Sequence, residues 1–389
     1  MNLGFYFFIK KRIVNHFLIQ KCYREIRILE WEGMEMSKEN DKVEKKTDES
    51  GKKHLTIAMQ GGGAHGAFTW GVLDRLLEES DIVIKGVSGA SAGGMNAVCT
   101  AQGIMEGGNE GAREMLNKYW KITSDKGKTS IFKPGVLDVL AGKYTMHNSP
   151  GFVFFDFLCK MFSPYQFNPL GVNPLKDIVK ELFDFDKLNE FDGVRVFLSA
   201  THVYTGKIKV FSNIRKELSV DTMLATACLP TIFNAVMVKG EYYWDGGYTG
   251  NPVMYPLIYD CDPTDIMLIK LNPTHRNRLP VTAAEIGDRM NEITNNTSIM
   301  REMRSMHFIG QLMDKKIIEQ GSMKRMHVHL IEDEAVFQDL GWSSKLNTDE
   351  DFLKHLFDAG RVAADKWLTK NYDKIGKETT ASVLEEFVQ

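Results

Sequence analysis

The sequence predicts a three-layer α/β/α fold on a mainly parallel sheet, followed by a helical C-terminal part. Two observations carry that expectation. From Leu55 onward, short apolar runs alternate with stretches of helical periodicity. A strand–helix–strand–helix order also implies right-handed crossovers, which make neighbouring strands parallel and cover the sheet on both faces.

The elements follow in order. Residues 55–59 (LTIAM) read as a buried strand. Residues 66–80 read as a helix whose inner face carries Phe68, Val72, Leu73, Leu76 and Leu77. A second strand is expected at 82–87, and residues 92–103 are expected to open a second helix. Further strands are expected at 194–200, 207–211, 241–244, 265–271 and 326–331, with helices near 281–320 and 349–373. Residues 151–170 hold six phenylalanines; a core helix is the favoured reading, and an acyl-chain channel or membrane-facing lid the alternative.

The N-terminal region differs from the rest. In residues 1–33 the basic Lys10, Lys11 and Arg12 follow an apolar run, the reverse of a signal peptide. Three readings stand: a basic amphipathic helix on a membrane, a packed or disordered extension, or sequence upstream of a start at Met34 or Met36. The last is favoured, because Trp31-Glu32-Gly33 admits a purine-rich coding run just before those methionines. Residues 34–54 carry twelve charges and almost no apolar side chains, the composition of a solvated linker. The expected division is then a first α/β domain over 55–275 and a mostly helical part over 276–389 packed on it.

Composition excludes several classes. An apolar share of 43 % and a charged share of 25 % over 389 residues are those of a globular chain. A net charge of −3 argues against a nucleic-acid partner. No apolar run is long enough to span a bilayer as a helix. Five scattered cysteines argue against a disulfide framework and for a reducing compartment, and a cytoplasmic, peripherally membrane-associated protein is expected.

Three motifs carry chemistry. Gly61-Gly62-Gly63-Ala64-His65-Gly66 follows the first strand and opens a helix. Unpaired backbone N–H groups at such a turn converge on one spot that suits a phosphate or an acyl-transfer oxyanion. Gly61, Gly63 and Gly66 also fit a dinucleotide fingerprint, but its acid, Asp81, falls before the second strand instead of at its end. Gly89-Ala90-Ser91-Ala92-Gly93 is a G-x-S-x-G nucleophile elbow between a strand and a helix. Ser88 is the poorer candidate because Ala90 stands where the elbow wants glycine. Asp245-Gly246-Gly247 ends a strand; alone it is an ordinary turn.

In this order and combination the motifs resemble the bacterial patatin-like phospholipase family, whose pattern is G-G-G-x-(Arg/Lys)-G, G-x-S-x-G and D-G-(Gly/Ala). The run Ala225–Pro230, Asn251-Pro252, and, less distinctively, Ser344–Asn347 and Gly360-Arg361 add to the likeness. The resemblance implies a patatin-like α/β/α fold and a serine lipid acyl hydrolase acting on phospholipid or other acyl-lipid esters without a cofactor. It implies Ser91 as nucleophile, Asp245 as general base, and an oxyanion hole from Gly61, Gly62 and Gly63. His65 stands where the family has Arg or Lys, and two readings are open: it holds the oxyanion turn with a protonated form that favours the oxyanion, or it only packs or hydrogen-bonds within the turn. Two rivals remain: a Ser-His-Asp esterase using His275, His307, His327, His329 or His355, and a catalytically silent lipid-binding protein. His327 and His329 on one strand face, and Asp260, Asp262 and Asp265 at a turn, read as structural residues and not metal ligands.

Overall fold

Helices and strands follow the apolar periodicity closely. The computed structural model describes residues 51–128, 135, 144–146, 149–318 and 322–388, so the readings made for residues 1–50 lie outside it. In chain order the main elements are β1 (Lys53–Met59), α1 (Gly66–Leu76), β2 (Ile82–Gly89), α2 (Ala92–Gly127), α3 (Pro150–Met161), α4 (Leu175–Leu182), β3 (Arg195–His202) and β4 (Ile208–Ser212). Then come α5 (Val220–Thr226), β5 (Val236–Val238), β6 (Glu241–Asp245), β7 (Asp265–Ile269), α6 (Ala283–Asp314), β8 (His327–Ile331) and α7 (Glu350–Asn371).

Among the described residues the eight strands form one sheet in the order β5-β6-β3-β2-β1-β7-β8, with β4 also pairing with β3. The central pairs β3–β2, β2–β1, β1–β7 and β7–β8 are parallel. Beyond β3 the pairing turns antiparallel. β1 has β2 on one side and β7 on the other, so the chain changes direction across the sheet beside it. The C-terminal ends of strands at such a switch point form a natural crevice.

Alternate residues of the central strands face opposite cores, as the two-residue period requires. Ile57 and Met59 of β1, with Met267 and Ile269 of β7, join the core under α1, α2 and α7. Ala58, Ile266, Leu268 and Phe197 join a second core with Ile299 and Met303 of α6. Two cores on two faces make the three layers. The inner face expected for α1 is buried in full. It packs against α7, where Gly71 lies on the Phe357 carbonyl and Gly360 on that of Phe68.

α2 opens where expected and runs on past residue 103; its backbone leaves helical geometry only at Gly107 and Gly108, then resumes to Gly127. Two elements depart from expectation. The short strand β5, not anticipated, forms a hairpin with β6 across Lys239-Gly240. The favoured core reading of residues 151–170 is overturned. Of α3 only Phe152 is buried, while Phe154, Phe157 and Met161 are exposed, as are Phe162, Tyr165 and Leu170 beyond it.

Candidate active site

Ser91 sits where β2 ends and α2 begins, with φ 53° and ψ −125°. A positive φ is rare for a residue with a side chain and is the backbone signature of a strained, exposed turn. The turn is held from outside the motif: the Ser91 N–H donates to the Thr226 carbonyl at 3.0 Å. Gly89 and Gly93 lie against each other across it, where side chains would collide. Ser88, by contrast, is fully buried and donates to the Val253 carbonyl at 2.5 Å.

Asp245 ends β6, paired opposite Ala200 of β3. Its N–H donates to the Cys228 carbonyl at 2.8 Å, and its own carbonyl accepts from the Thr201 hydroxyl at 2.8 Å. The side chain is 3 % exposed. Oδ1 accepts from the Gly247 N–H at 2.7 Å. Oδ2 is buried and makes no hydrogen bond among the described residues. The Ser91 side chain is nevertheless close enough to favour the ionised carboxylate. Catalytic hydrogen bonds commonly close up only with substrate in place. Burial raises the Asp245 pKa to about 6, against the opposing pull of the Gly247 N–H, the Ser91 side chain and the Lys345 charge.

The glycine turn packs directly on the elbow. A Cβ at Gly61 would run into the Ala90 carbonyl, and Gly63 has φ 59° with its Cα against the Lys345 carbonyl. Both positions therefore need glycine. The Gly61 N–H is engaged, donating to Asn251 Oδ1 at 2.6 Å. The Gly61 carbonyl accepts from Asn251 Nδ2 at 3.3 Å and from Asn272 Nδ2 at 3.5 Å. In a trans peptide the carbonyl and the next N–H point opposite ways. Amides on the Gly61 carbonyl thus aim the Gly62 N–H away from them. The His65 N–H does the same for Gly63 by donating to the Gly62 carbonyl at 3.2 Å. Of the three glycines expected from sequence to act as donors, Gly61 thus has its N–H already engaged.

The charged reading of His65 is corrected. The ring is 3 % exposed, packed between Phe337 and Phe352 with centroids at 5.3 and 6.3 Å. Burial, with the Lys345 and Arg276 charges behind it, holds its pKa well below the usual histidine value. The Ser344 hydroxyl donates to the Gly341 carbonyl at 2.8 Å, so His65 donates from Nε2 to Ser344 Oγ at 2.8 Å. His65 is a neutral strut between the turn and residues 341–346. His65→Ala is expected to lower stability by about 1–3 kcal/mol through lost packing and a stranded hydroxyl. Over pH 6–8 the rate profile should keep its shape, because no charge is lost; thermal melts and pH–rate curves check both halves.

The remaining candidates lie elsewhere. Asp81 stands at the opposite end of the sheet from the glycine turn, its carbonyl accepting from Lys53 N–H at the start of β1, so it cannot complete a dinucleotide site. His329 and His327 instead hold Asp265, at 2.9 and 3.4 Å. His307 is bonded to Gln311, and His355 stacks on Tyr144. Among the described residues no histidine hydrogen-bonds Ser91 or Asp245, and no group of three or more His, Cys, Asp or Glu side chains converges as metal ligands. Asn251, Asn272 and Lys345 were not singled out as site residues from sequence; Asn251-Pro252 and the Ser344–Asn347 run were the available signals.

A family model for the patatin-like phospholipases matches residues 57–257. No curated protein matches the sequence. Among solved structures, VipD from Legionella pneumophila is 13 % identical with a TM-score of 0.31, over 86 % of this chain and 73 % of that one. The type III effector ExoU is 14 % identical at a TM-score of 0.31, over 82 % of this chain and 53 % of that one. A complex of ExoU with SpcU from Pseudomonas aeruginosa gives 13 % and 0.32, over 87 % of this chain and 57 % of that one. The family match takes in the glycine turn, the serine elbow and the strand-end aspartate and spans more than half of the chain. The chain therefore belongs to the patatin-like phospholipase family, a family of lipid acyl hydrolases.

Proposed function

We propose that this protein hydrolyses acyl esters of phospholipids through a Ser91–Asp245 dyad. One observation supports this above the others: a buried Asp245 oxygen without a hydrogen bond, beside a serine held at positive φ. Asp245 Oδ2 takes the Ser91 proton as Oγ attacks the ester carbonyl carbon. The oxyanion is received by the Gly62 and Gly63 N–H groups. Collapse breaks the bond to the lipid alcohol, which leaves with the proton from Asp245. Water then attacks the acyl-enzyme, giving up a proton to Asp245; collapse breaks the acyl bond to Ser91 Oγ, which takes that proton back, and the fatty acid departs. An aspartate with pKa near 6 is a far better base for this work than one at the reference value near 4.

The Ser-His-Asp alternative needs a histidine beside the carboxylate, whereas the groups that act on Asp245 are the Gly247 N–H, the Ser91 side chain and the Lys345 charge. Single alanine replacements at His275, His307, His327, His329 and His355 are therefore expected to leave kcat within about threefold of wild type. A hundredfold loss at one of them, in a folded protein, would favour the triad.

The exposed aromatic segment suits a bilayer surface. Tyr165 anchors it by accepting the Ala235 N–H at 3.1 Å, and Asn234 Nδ2 donates to the Asn168 carbonyl at 3.4 Å. That loop follows Cys228, whose carbonyl receives the Asp245 N–H, so the segment is tied at Tyr165 and Asn168 to the stretch that leads into β5 and β6. No helix among the described residues is long and apolar enough to cross a membrane; the exposed aromatics are those of a surface contact. The double change Phe154→Asp with Phe157→Asp should cut activity on phosphatidylcholine vesicles about tenfold or more, at roughly 1–2 kcal/mol per lost aromatic contact. Turnover of a soluble p-nitrophenyl ester should be unchanged. Equal losses on both substrates would refute interfacial docking.

A further inference from the structure

The family pattern puts a cation directly after its glycines, and this chain puts a neutral, buried histidine there. The same side of the turn nevertheless holds a buried cation from a distant part of the chain. Lys345 lies in a one-turn helix, Ser343–Leu346, and is 9 % exposed. Its Nζ donates to Asn272 Oδ1 at 2.8 Å and to Asn291 Oδ1 at 2.7 Å. Its backbone carbonyl lies against Gly63. Two amide acceptors are an unusual choice for a buried ammonium, which ordinarily takes a direct carboxylate.

The carboxylates nearby are engaged with other groups. Glu292 of α6 pairs with Arg276 and Arg289. Asp288 of α6 accepts the Trp342 N–H at 2.7 Å. Lys345, Arg276 and Arg289 thus face Asp288 and Glu292, three cations against two carboxylates, with neutral His65 on the turn and Asp245 across it. With Asp245 ionised the charges balance, and Lys345 is the cation whose charge reaches Asp245.

A path leads from that charge to the turn. Lys345 Nζ polarises the Asn272 amide, and Asn272 Nδ2 in turn donates to the Gly61 carbonyl. That carbonyl belongs to the same peptide group as the Gly62 N–H. Charge delivered to one end of a peptide dipole strengthens donation from the other.

We propose that Lys345 is the positioning and electrostatic residue of the oxyanion site, acting through Asn272 and the Gly61–Gly62 peptide in place of the cation that the glycine motif lacks. The proposal rests on the hydrolase reading above. It assigns Lys345 an effect on the transition state and not on substrate binding, since charge on the carbonyl oxygen develops only as Ser91 attacks.

The test is a set of pH–rate profiles on a soluble p-nitrophenyl ester, with Ser91→Ala as background. Lys345→Met, similar in length and neutral, should fold by circular dichroism and lose about tenfold to a hundredfold in kcat, with KM within about threefold. Burial lowers the Lys345 pKa to about 8, partly offset by Glu292, Asp288 and Asp245, so wild-type kcat should fall between pH 7.5 and 9.5 as the ammonium discharges. Lys345→Met should lack that alkaline limb. Its acid limb should lie higher, because the Lys345 charge lowers the Asp245 pKa. Asn291→Leu, which strips one amide from the ammonium, should move the alkaline limb downward.

Wild-type kcat in Lys345→Met overturns the proposal. So does a loss with both limbs unmoved, which a purely structural lysine would give. Should Lys345→Met not fold, a wild-type profile flat from pH 7.5 to 9.5, or an unmoved limb in Asn291→Leu, overturns it equally. If wild type is active and Ser91→Ala is not, only this inference fails; if wild type matches Ser91→Ala, the hydrolase reading fails with it.

Discussion

Ser91→Ala is expected to reduce ester hydrolysis to background, a loss on the order of a millionfold in kcat, with the fold intact. The hydroxyl has no substitute nearby. Ser88 is fully buried and bonded to the Val253 carbonyl, so it cannot swing into the elbow. The elbow itself should persist, because it is held by the Ser91 N–H on Thr226 and by the Gly89–Gly93 approach, neither of which uses Oγ. Alanine also tolerates positive φ no better and no worse than serine in a turn fixed by its surroundings. The melting temperature should therefore stay within a few degrees of wild type while activity vanishes. Steady-state kinetics alongside circular dichroism melts check both parts.

Asp245→Asn is expected to cost at least about a hundredfold in kcat, the lower range for a lost general base. It should also make the protein more stable at neutral pH. The folded pKa of Asp245 is raised to about 6, above the unfolded value near 3.9, chiefly by burial. Below pH 4 the group is protonated in both states and costs nothing. Between pH 4 and 6 the unfolded chain ionises first, so stability falls as pH rises. Above 6 the penalty is complete, on the order of 3 kcal/mol. Asparagine carries no charge at any pH, so its advantage should appear at pH 7–8 and vanish near pH 4. Denaturant midpoints at those two pH values measure it. An Asp245→Asn protein less stable than wild type at pH 8 would mean that the carboxylate is held by favourable contacts and is not a strained base.

The sequence revealed the site where the signal was local. The glycine turn, the elbow and the strand-end aspartate each announce themselves within six residues, because each is a strand-to-helix or strand-to-turn junction with its own backbone demands. What holds them together was not legible. Asn251 reaches Gly61 across 190 positions, and Lys345 reaches Asn272 across 73. Neither spacing carries a pattern. The choice between a charged and a merely packed His65 was open for the same reason: Phe337 and Phe352, which bury it, lie more than 270 residues further along. Apolar content alone cannot tell a core helix from a surface one, and α3 shows it. Its phenylalanines look like core until the neighbours they lack are known. Where α2 ends was not legible either: packing of Ala112, Leu116 and Trp120 on the core carries the helix past Gly103, Gly107 and Gly108 despite their low helix propensity.

The role of Ser91 can be tested without knowing the lipid substrate. A fluorophosphonate probe reacts only with a serine that is both activated and next to an oxyanion site, so it interrogates the elbow, Asp245 and the glycine turn at once. The expected result is a single covalent adduct on the wild-type protein, mapped by mass spectrometry to the peptide containing Ser91. Labelling should be absent in Ser91→Ala and slowed about a hundredfold or more in Asp245→Asn. An adduct on another residue, or undiminished labelling of folded Ser91→Ala protein, would contradict the assignment of Ser91 as the nucleophile.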